Sequence, residues 1–427
     1  MKTPESLKQR TKEYAEKIGK YSKKLSAMYE KCYLSTIETC MERLDDGTVF
    51  LCTGDIPAMW LRDSTAQVSH YIPAAVNDEE TAEIIKGVIA RQRDYLKQDP
   101  YANGFKKEPD DRQIFNDIPA NIPIVWERKY EIDSLCYPIR LTYLYYKATG
   151  DKSVLGSDFI ESAKITVNLW KTEQHHFEKS PYRFTRKDCP EQDTIHNNGM
   201  GNEVSYTGMT WSGFRPSDDA CVYGYLVASN MFACVELGHL TEMLGDINYD
   251  INFINECKTL KEEIESGIKK YSIVKDKYGK DIYANEVDGR GNYFCYDDAN
   301  VPSLLSAPYL GYCKADDEIY LNTRKFILSK DNPYFYTGKY AKGVGSPHTP
   351  KGYIWHIALS MQGLTTDDPD EIRELLGMLE TTDAGTLLMH EGFNADNPDE
   401  FTRPWFTWSC SLFSELCEKA VDEGIIG

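Results

Sequence analysis

Apolar and charged segments of helical spacing alternate along the whole chain. In six segments hydrophobic residues cover most of a helical surface, which is typical of buried helices. In the six segments between them the apolar residues occupy one face, which predicts amphipathic outer helices. The apolar segments span residues 66–72, 135–149, 220–237, 303–310, 357–364 and 410–420, and the charged segments span residues 1–35, 77–98, 154–178, 239–270, 322–329 and 367–381.

This alternation predicts a ring of six buried inner helices covered by six outer helices. The loops that lead into the inner helices would then gather at one end of the ring. A short strand or hairpin is predicted at residues 36–50, with Asp45-Asp46-Gly47 as the turn, and a β-hairpin is predicted at residues 271–294. We expect one domain that comprises residues 1–427. The competing interpretation is an irregular helical domain in which the loop sequences resemble each other by chance.

The loops before the inner helices are rich in acidic and aromatic residues. In the first loop Asp55 and Trp60 precede Arg62, and either Asp63 or Ser64 is a candidate helix N-cap. Four loops contain paired acidic residues, which are Asp55 and Asp63, Glu131 and Asp133, Asp218 and Asp219, and Asp297 and Asp298. Six of the seven tryptophans lie on the same side, namely Trp60, Trp126, Trp211, Trp355, Trp405 and Trp408.

Net charge and cysteine usage exclude several kinds of partner. The chain carries 67 acidic and 48 basic residues, a net charge of −19, which argues against nucleic acid and membranes as partners. No apolar run reaches the ~20 residues of a membrane span, and the charged N-terminal segment does not resemble a secretory signal. The twelve cysteines contain no C-x-x-C pair, which predicts reduced thiols in a cytoplasmic protein. We expect a monomer without cofactor or metal, since no cluster of residues has metal-ligand spacing.

Acidic and aromatic side chains with few cations suit a neutral, polyhydroxylated ligand. Carboxylates accept hydrogen bonds from hydroxyl groups, and flat rings pack on the C–H faces of a sugar. A phosphate ligand would require more lysine and arginine, or a glycine-rich loop, which the sequence lacks. We therefore predict a sugar site at the end of the ring where the loops gather.

Hydrolysis of a glycoside needs two carboxyl groups in different environments, one protonated and one ionised. Asp218 and Asp219 are candidates for the acid, because a neighbouring like charge or partial burial raises the pKa of a carboxyl group. The alternative is that one of them caps a helix and the other complements the helix dipole. Glu391 follows an apolar run and precedes Gly392, so it is either the second carboxyl or a surface glutamate in a turn.

Four longer motifs lie in these loops. They are Gly54-Asp-Ile-Pro-Ala-Met-Trp-Leu-Arg-Asp63-Ser64, Trp211-Ser-Gly-Phe-Arg-Pro-Ser-Asp218-Asp219-Ala220, His348-Thr-Pro-Lys-Gly-Tyr-Ile-Trp355 and His390-Glu391-Gly392-Phe393. With these motifs the chain resembles family 125 of the glycoside hydrolases, the exo-α-1,6-mannosidases of bacteria and fungi. The resemblance extends from about residue 30 to the C-terminus.

The resemblance implies an (α/α)6 barrel that removes a terminal α-1,6-linked mannose with inversion and without a metal ion. It implies that Asp218 is the general acid and Glu391 the general base, and that Arg62 and Asp63 hold the terminal sugar. The implied substrate is a mannose-containing oligosaccharide, such as an α-1,6-linked mannoside or an N-glycan fragment. The residues expected to bind it are Asp55, Trp60, Arg62, Asp63, Trp126, Asp133, Trp211, Asp219, His348, Trp355 and Arg403.

Three other functions compete with this interpretation. Another (α/α)6 hydrolase, such as a relative of glucoamylase or trehalase, would use the same fold and the same carboxyl chemistry. The acidic segment 367–371 could bind magnesium and a diphosphate, as in terpene synthases, although Pro369 favours a capped surface helix. A non-catalytic sugar-binding protein would need the tryptophans but neither Asp218 nor Glu391.

Overall fold

Helices make up about half of the computed structural model of the protein, which describes residues 1–427. They are α1 (Glu5–Ile18), α2 (Lys23–Thr39), α3 (Leu61–Ser69), α4 (Ile72–Ala75), α5 (Glu79–Gln98), α6 (Ile132–Thr149), α7 (Ser157–Glu173), α8 (His176–Lys179), α9 (His196–Gly199), α10 (Val227–Asp246), α11 (Ile251–Tyr271), α12 (Ala307–Leu310), α13 (Glu318–Ile327), α14 (His356–Leu364), α15 (Pro369–Thr381) and α16 (Thr407–Asp422). Two short 3₁₀ helices lie at Lys152–Leu155 and Glu191–Asp193.

Six of these helices form an inner ring. Helix α3 contacts α6, α6 contacts α10, and α10 contacts α12, while α14 contacts α16 and α16 contacts α3. The C-terminal helix therefore packs against the first inner helix and closes the ring. Helix α2 precedes the first inner helix, and α5, α7, α11, α13 and α15 each lie between two inner helices in the sequence. Helix α10 is buried over most of its surface, whereas its outer partner α11 has one buried and one exposed face. This order confirms the predicted alternation.

Seven small antiparallel sheets lie in the loops between the helices. Their strands are β1 (Met41–Arg43), β2 (Val49–Leu51), β3 (Met59–Trp60), β4 (Gly104–Phe105), β5 (Asp117–Ile118), β6 (Val125–Glu127), β7 (Thr185–Arg186), β8 (Tyr225–Leu226), β9 (Ile273–Lys275), β10 (Asp281–Tyr283), β11 (Glu286–Val287), β12 (Tyr293–Phe294), β13 (Phe335–Thr337), β14 (Lys342–Val344), β15 (Tyr353–Trp355), β16 (Gly392–Asn394) and β17 (Asn397–Phe401). The pairs β1–β2 and β9–β10 confirm the two predicted hairpins.

Three of the sheets fix the N-terminal ends of inner helices. Strand β3 runs directly into α3, β8 into α10 and β15 into α14, and each belongs to a three-stranded sheet. Because the strand holds the backbone up to the first helical residue, the side chains at each junction have a defined direction. These junctions lie at the end of the ring where the sequence predicts the site.

The first inner helix begins earlier than the sequence indicated. Trp60 of β3 pairs with Gly104 of β4, so the backbone stays extended up to Trp60 and becomes helical at Leu61. The prediction that Asp63 or Ser64 is the N-cap is therefore wrong. Both residues lie in the first turn, where the carboxyl group of Asp63 is close to the positive end of the helix dipole.

Asp218 and Asp219 lie in a loop and not at the start of a helix. A bridge between Phe214 and Ala220 closes this loop. In a helix that began at Asp218, the backbone N–H groups of residues 222 and 223 would donate to carbonyl oxygens of the preceding turn. They donate instead to the buried carboxylate of Glu286. The alternative that the two aspartates cap a helix is therefore wrong, and the third inner helix begins later than predicted.

Three other predicted helices have different bounds. The N-terminal segment forms two helices, because Gly19 ends α1 and the side chain of Ser22 caps α2. The segment 239–270 is divided between α10 and α11, with Asp250 as the N-cap of α11. The fourth inner helix is only the short helix α12, which Gly311 ends with a φ of 94°.

The loop before α3 and the loop before α16 meet through their backbones. The N–H of Asp55 donates to the carbonyl oxygen of Trp405 at 3.1 Å. Gly54 approaches this carbonyl so closely that a Cβ on it would lie 2.0 Å from the oxygen, and its φ is 106°. Only glycine tolerates both conditions. This contact ties the two ends of the ring together next to the predicted site.

The substitution Gly54→Ala is expected to lower the free energy of unfolding by about 3 kcal/mol, because the new methyl group meets a backbone atom and the positive φ is strained. Gly47→Ala is the matched control, since Gly47 has a φ of 84° with no atom within 4 Å of an added Cβ. It should lose about 1 kcal/mol from the positive φ alone. Urea unfolding followed by circular dichroism measures both values. Equal losses in the two variants would contradict the role of the loop contact.

Candidate active site

The loops at the beginning of the inner helices surround an open cavity of about 360 Å³. The loops before α3, α10, α12, α14 and α16 all contribute to its wall, as expected for loops that gather at one end of the ring. The lining residues are Thr53, Ile56, Trp60, Arg62, Asp63, Pro216, Ser217, Asp218, Asn300, His348, Trp355, Glu391, Arg403, Phe406 and Trp408.

The buried guanidinium of Arg62 binds carboxyl groups from the beginning of α6 and from the loop before α10. Its Nη1 donates to Glu131 Oε2 at 2.5 Å and to Asp133 Oδ2 at 3.0 Å. Its Nη2 donates to Asp218 Oδ1 at 3.3 Å, and Asp63 Oδ2 lies 3.7 Å from Nε. One cation thus faces four carboxyl groups, and this excess of acid in a buried place favours retention of a proton. Asp133 does not line the cavity, so its expected contact with the sugar is replaced by the contact with Arg62.

Burial raises the pKa of three of these carboxyl groups. It raises the pKa of Asp63 to about 6 although Arg62 and Arg403 oppose the shift. The pKa of Asp133 is raised for the same reason, again against the charge of Arg62. The pKa of Glu131 lies well above its ordinary value, because burial is reinforced by the neighbouring aspartates. Glu131 is therefore the group of this cluster that most favours its neutral form.

Asp218 ends a tight turn and projects a partly exposed side chain into the cavity. Its N–H donates to the carbonyl oxygen of Arg215 at 2.8 Å, and its φ is 68°. Its carbonyl oxygen accepts a hydrogen bond from Lys129 Nζ at 2.7 Å. Its carboxylate accepts from Arg62 and, at 3.3 Å, from Asn103 Nδ2. The side chain of Asp218 is thus oriented by a strained turn and by two donors.

The pKa of Asp218 is lowered, contrary to the sequence prediction. Burial alone would raise the pKa, but the charges of Arg62 and Lys129 and a hydrogen bond with Glu131 outweigh burial. The prediction relied on a neighbouring like charge or on partial burial, and it did not include the cations and hydrogen-bond donors that lie beside this carboxylate.

Asp219 holds two cations. Its Oδ2 accepts from Arg215 Nη2 and its Oδ1 from His348 Nδ1, both at 3.0 Å. Burial lowers the pKa of His348, but the hydrogen bond and charge of Asp219 outweigh burial and raise this pKa to about 9. An imidazolium ion therefore lines the cavity at neutral pH. Asp219 does not line it, so its expected contact with the sugar is replaced by the contact with His348.

Glu391 immediately precedes strand β16 and lines the cavity. It is 8% exposed, so its interpretation as a surface glutamate is wrong. Burial raises the pKa of Glu391, and the nearby charges of Arg403 and His348 oppose the shift. Arg403 Nη1 lies 3.9 Å from Glu391 Oε1. Arg403 is in turn held by Asp55 Oδ1, which accepts from its Nε at 2.8 Å, and Asp55 itself does not line the cavity.

Only some of the predicted tryptophans reach the cavity. Those that line it are Trp60, Trp355 and Trp408. Trp211 is buried and stacks on His176 with a centroid distance of 3.6 Å, so it belongs to the core. Trp126 lies in β6 and does not line the cavity, and Trp405 donates from its Nε1 to Thr39 Oγ1 at 2.9 Å. Trp126 and Trp211 therefore do not line this cavity.

The fourth loop contributes Asn300, which the sequence analysis missed, and the two aspartates that precede it. Asn300 lines the cavity and donates to the carbonyl oxygen of Pro216 at 2.5 Å. Asp298 accepts from Ser217 Oγ at 2.7 Å and so supports the turn before Asp218. Asp297 accepts from two backbone N–H groups, at residues 304 and 305. The position of Asn300 shortly after Asp297 and Asp298 could have identified it as a candidate lining residue. The sequence alone does not show whether a carboxylate binds a ligand or the protein backbone.

No three histidine, cysteine or acidic side chains are arranged to hold a metal ion. Among the four carboxyl groups described above, the guanidinium of Arg62 occupies the central position. The acidic segment 367–371 forms the beginning of α15, where the side chain of Asp368 accepts from the N–H of Asp370 at 2.9 Å. None of the helices combines the length and the apolar composition that a membrane span requires.

Comparison with known proteins identifies the family. The family description "metal-independent alpha-mannosidase (GH125)" matches residues 22–417. The meiotically up-regulated gene 157 protein of Schizosaccharomyces pombe is 38% identical over 415 residues, which cover 92% of this chain and 81% of that protein. A Streptococcus pneumoniae structure, from work on metal-independent α-mannosidases and N-linked glycans, is a non-productive substrate complex with α-1,6-mannobiose. Its sequence is 46% identical to this chain. The alignment covers 98% of this chain and 99% of that chain, and the TM-score is 0.96.

A bacterial glucoamylase in complex with acarbose has the same fold. Its sequence is 13% identical to this chain. The alignment covers 96% of this chain and 58% of that chain, and the TM-score is 0.61. At this identity the likeness concerns the fold alone. Together with the order of the helices, it confirms the predicted (α/α)6 barrel. The chain belongs to family 125 of the glycoside hydrolases, the metal-independent α-mannosidases.

Proposed function

We propose that the protein is an exo-acting α-1,6-mannosidase that inverts the anomeric configuration, with Asp218 as general acid and Glu391 as general base. The observation that carries this proposal is that both carboxyl groups line one cavity in a member of an α-mannosidase family. The linkage is supported by the 46% identical relative, which binds α-1,6-mannobiose. The substrate class is a terminal mannose of an oligosaccharide, for which N-glycan fragments are candidates.

Glu391 activates the attacking water. Its pKa is raised by burial, while the charges of Arg403 and His348 favour the ionised form. A base whose pKa lies closer to the working pH accepts a proton more readily, provided that it stays ionised before the reaction. Glu391 takes the proton of a water molecule whose oxygen attacks the anomeric carbon. In this proposal Arg403 holds the carboxylate in place and is itself fixed by Asp55.

Asp218 protonates the glycosidic oxygen as the bond to the anomeric carbon breaks. A single displacement requires room for water between Glu391 and the sugar, so we expect the two carboxyl groups to be about 6.5–9.5 Å apart. The partly exposed side chain of Asp218 is compatible with contact to a leaving group. The role assigned to Asp218 requires a proton that its lowered pKa does not favour.

The remaining lining residues supply contacts for one sugar ring. Asp63 accepts hydrogen bonds from hydroxyl groups, and the cations of His348 and Arg403 donate to them. The rings of Trp60 and Trp355 offer flat apolar faces for the C–H groups of the sugar. A cavity closed by the loops of a ring accepts the end of a glycan chain, and this supports exo action.

We also infer a cytoplasmic location and a monomeric state. All twelve cysteines are free thiols, and six of them are buried in the core beside apolar side chains. Free thiols in this number are typical of proteins from reducing compartments. Cell fractionation and sedimentation would test the two inferences separately.

Linkage and mode are tested by product analysis after digestion of α-1,2-, α-1,3-, α-1,4- and α-1,6-mannobiose and of a longer α-1,6-linked chain. We expect mannose from the α-1,6 disaccharide and mannose alone in the early digest of the longer chain, because the cavity admits one terminal sugar. Oligosaccharides in the early digest would contradict exo action. Preference for another disaccharide would contradict the proposed linkage.

The roles of the two carboxyl groups are tested with Asp218→Asn and Glu391→Gln. Each variant is expected to lower kcat by about 10²- to 10⁴-fold, because the amide can neither donate nor accept the required proton. Binding of a non-hydrolysable S-linked α-1,6-mannobiose should stay close to normal. Asp219→Asn is the control for the neighbouring position and should cost less, since Asp219 contacts His348 and Arg215. A larger loss for Asp219→Asn would reverse the assignment of the acid. Unchanged turnover in all variants would remove these residues from the mechanism, whereas sugar binding without turnover in the wild type would favour a non-catalytic protein.

Stereochemistry and metal dependence are tested together by proton NMR during the first minutes of digestion, with and without EDTA. A single displacement at an α-mannoside should give β-mannose first. The rate should be the same with EDTA, because a guanidinium and not a metal ion neutralises the carboxyl cluster. Initial α-mannose would remove the water-activating role from Glu391. Loss of activity in EDTA that calcium restores would contradict the metal-independent mechanism.

A further inference from the structure

The proposed acid needs a proton that its immediate surroundings do not favour. Asp218 accepts hydrogen bonds from Arg62 and Asn103, and its backbone binds Lys129. Two cations beside one partly exposed carboxyl group stabilise the ionised form. A neighbouring group must therefore supply the proton, and this inference rests on the role proposed for Asp218.

Glu131 shares a guanidinium with Asp218. Arg62 donates from Nη1 to Glu131 Oε2 at 2.5 Å and from Nη2 to Asp218 Oδ1 at 3.3 Å. The side chain of Glu131 is fully buried, and its Oε2 also accepts from Ser134 Oγ at 2.8 Å. Its other oxygen, Oε1, is buried and has no donor. The two carboxyl groups are neighbours, because Nη1 and Nη2 of one guanidinium bind Glu131 and Asp218. A buried anionic oxygen without a donor is unfavourable, whereas a protonated Oε1 can donate to Asp218.

We propose that Glu131 holds the proton that Asp218 transfers to the glycosidic oxygen, so that the two carboxyl groups share one proton. At rest, Glu131 is neutral and donates to the ionised Asp218. In the reactive form the proton lies on Asp218, and Glu131 is a carboxylate bound by Arg62 and Ser134. Glu131 acts through Asp218 and does not touch the substrate.

The charges around the pair agree with this distribution of the proton. Burial raises the pKa of Glu131, the carboxylates of Asp218 and Asp133 add to the shift, and Arg62 opposes it. Arg62 and Lys129 lower the pKa of Asp218 against burial. The other charged groups that face the pair are Asp63 and His348. The neutral form is thus favoured on Glu131 and the ionised form on Asp218.

With this pair, the protons taken up and released in one turnover are equal in number. A bond forms between the water oxygen and the anomeric carbon, and the bond from that carbon to the glycosidic oxygen breaks. The electron pair of the broken bond stays on the glycosidic oxygen, which takes the proton of Asp218. Glu391 takes one proton of the water and releases it to solvent. The pair of Glu131 and Asp218 then regains one proton from solvent.

Asp133 provides a matched comparison within the same cluster. Like Glu131, it is fully buried and accepts from Arg62 Nη1, in its case at 3.0 Å. Its second oxygen, however, accepts from Ser229 Oγ at 3.3 Å. Because both of its oxygens already accept hydrogen bonds, neither is left to carry a proton toward Asp218. Asp133 therefore shares the burial and the contact with Arg62 but lacks the free oxygen.

The test is the pH dependence of kcat/KM on α-1,6-mannobiose for the wild type, Glu131→Gln and Asp133→Asn. The glutamine keeps an acceptor for Arg62 and Ser134 but cannot transfer a proton to Asp218. We expect Glu131→Gln to lose about 100-fold at pH 7, to regain activity on acidification, and to shift the basic limb of the profile down by about one pH unit or more. Asp133→Asn should lower the rate at all pH values and leave the basic limb in place.

A second substrate separates proton supply from structural damage. A 2,4-dinitrophenyl α-mannoside has a leaving group that needs little protonation, so Glu131→Gln should lose less than about tenfold on it. Similar losses on this substrate and on mannobiose would indicate a structural role and overturn the proposal. If the wild type does not cleave the aryl mannoside, the pH profile decides alone.

Several outcomes would contradict the proposal that the two carboxyl groups share a proton. One is a pH profile of Glu131→Gln whose basic limb coincides with that of the wild type. A wild-type basic limb at or below the ordinary Asp pKa of about 3.9 would do so as well, even if the variant did not fold. Absence of mannobiose hydrolysis by the wild type would contradict the proposed function itself. Hydrolysis with an unshifted basic limb in the variant would contradict only the role of Glu131.

Discussion

The cavity depends on one buried cation, the guanidinium of Arg62. It lies in the first turn of α3 and binds Glu131 and Asp133 at the beginning of α6 as well as Asp218 in the loop before α10. Removal of one member of a buried ion pair leaves an uncompensated charge, which commonly destabilises a protein by about 3–5 kcal/mol. Because several carboxyl groups converge here, loss of the guanidinium would affect the relative position of three inner helices. The direction of the Asp218 side chain is therefore a property of the whole ring.

The other two cations of the cavity are held in a similar way. His348 is fixed and charged by Asp219, and Arg403 is fixed by Asp55. In each case the carboxylate does not line the cavity and the cation does. The acidic loops thus serve mainly to orient protein cations, and only a minority of their carboxyl groups remain for substrate. This division explains why an acidic protein can present donors to a sugar.

The alternation of helices, the two hairpins and the family followed from the sequence, because they depend on local periodicity and on contiguous motifs. The placement of single side chains did not. Trp211 and Trp60 occupy comparable loop positions, yet one stacks on His176 in the core and the other lines the cavity. The lowered pKa of Asp218 arises from Arg62, which is 156 residues away in the sequence. No local pattern encodes a contact at that separation.

The predicted beginnings of these helices were wrong for a related reason. The backbone before α3 and before α10 is held by pairing with strands from other parts of the chain, and helical propensity does not decide where each helix begins. The loop that contains Asp218 is likewise closed by the β-bridge between Phe214 and Ala220, and the backbone after it is bound by Glu286. Long-range pairing therefore determined the geometry at the positions that matter most for chemistry.

The contact of the first loop with the last has a consequence for biosynthesis. Asp55 and Arg403, which meet beside Glu391, are 348 residues apart, and Gly54 rests on the carbonyl group of Trp405. A ribosome releases these two loops at opposite ends of translation, and contacts of such separation form late in folding. A nascent chain that ends before Arg403 has neither a closed ring nor the cation that lies beside Glu391. The cavity can therefore be completed only after the chain has been made through α16, because Arg403, Phe406 and Trp408 form part of its wall.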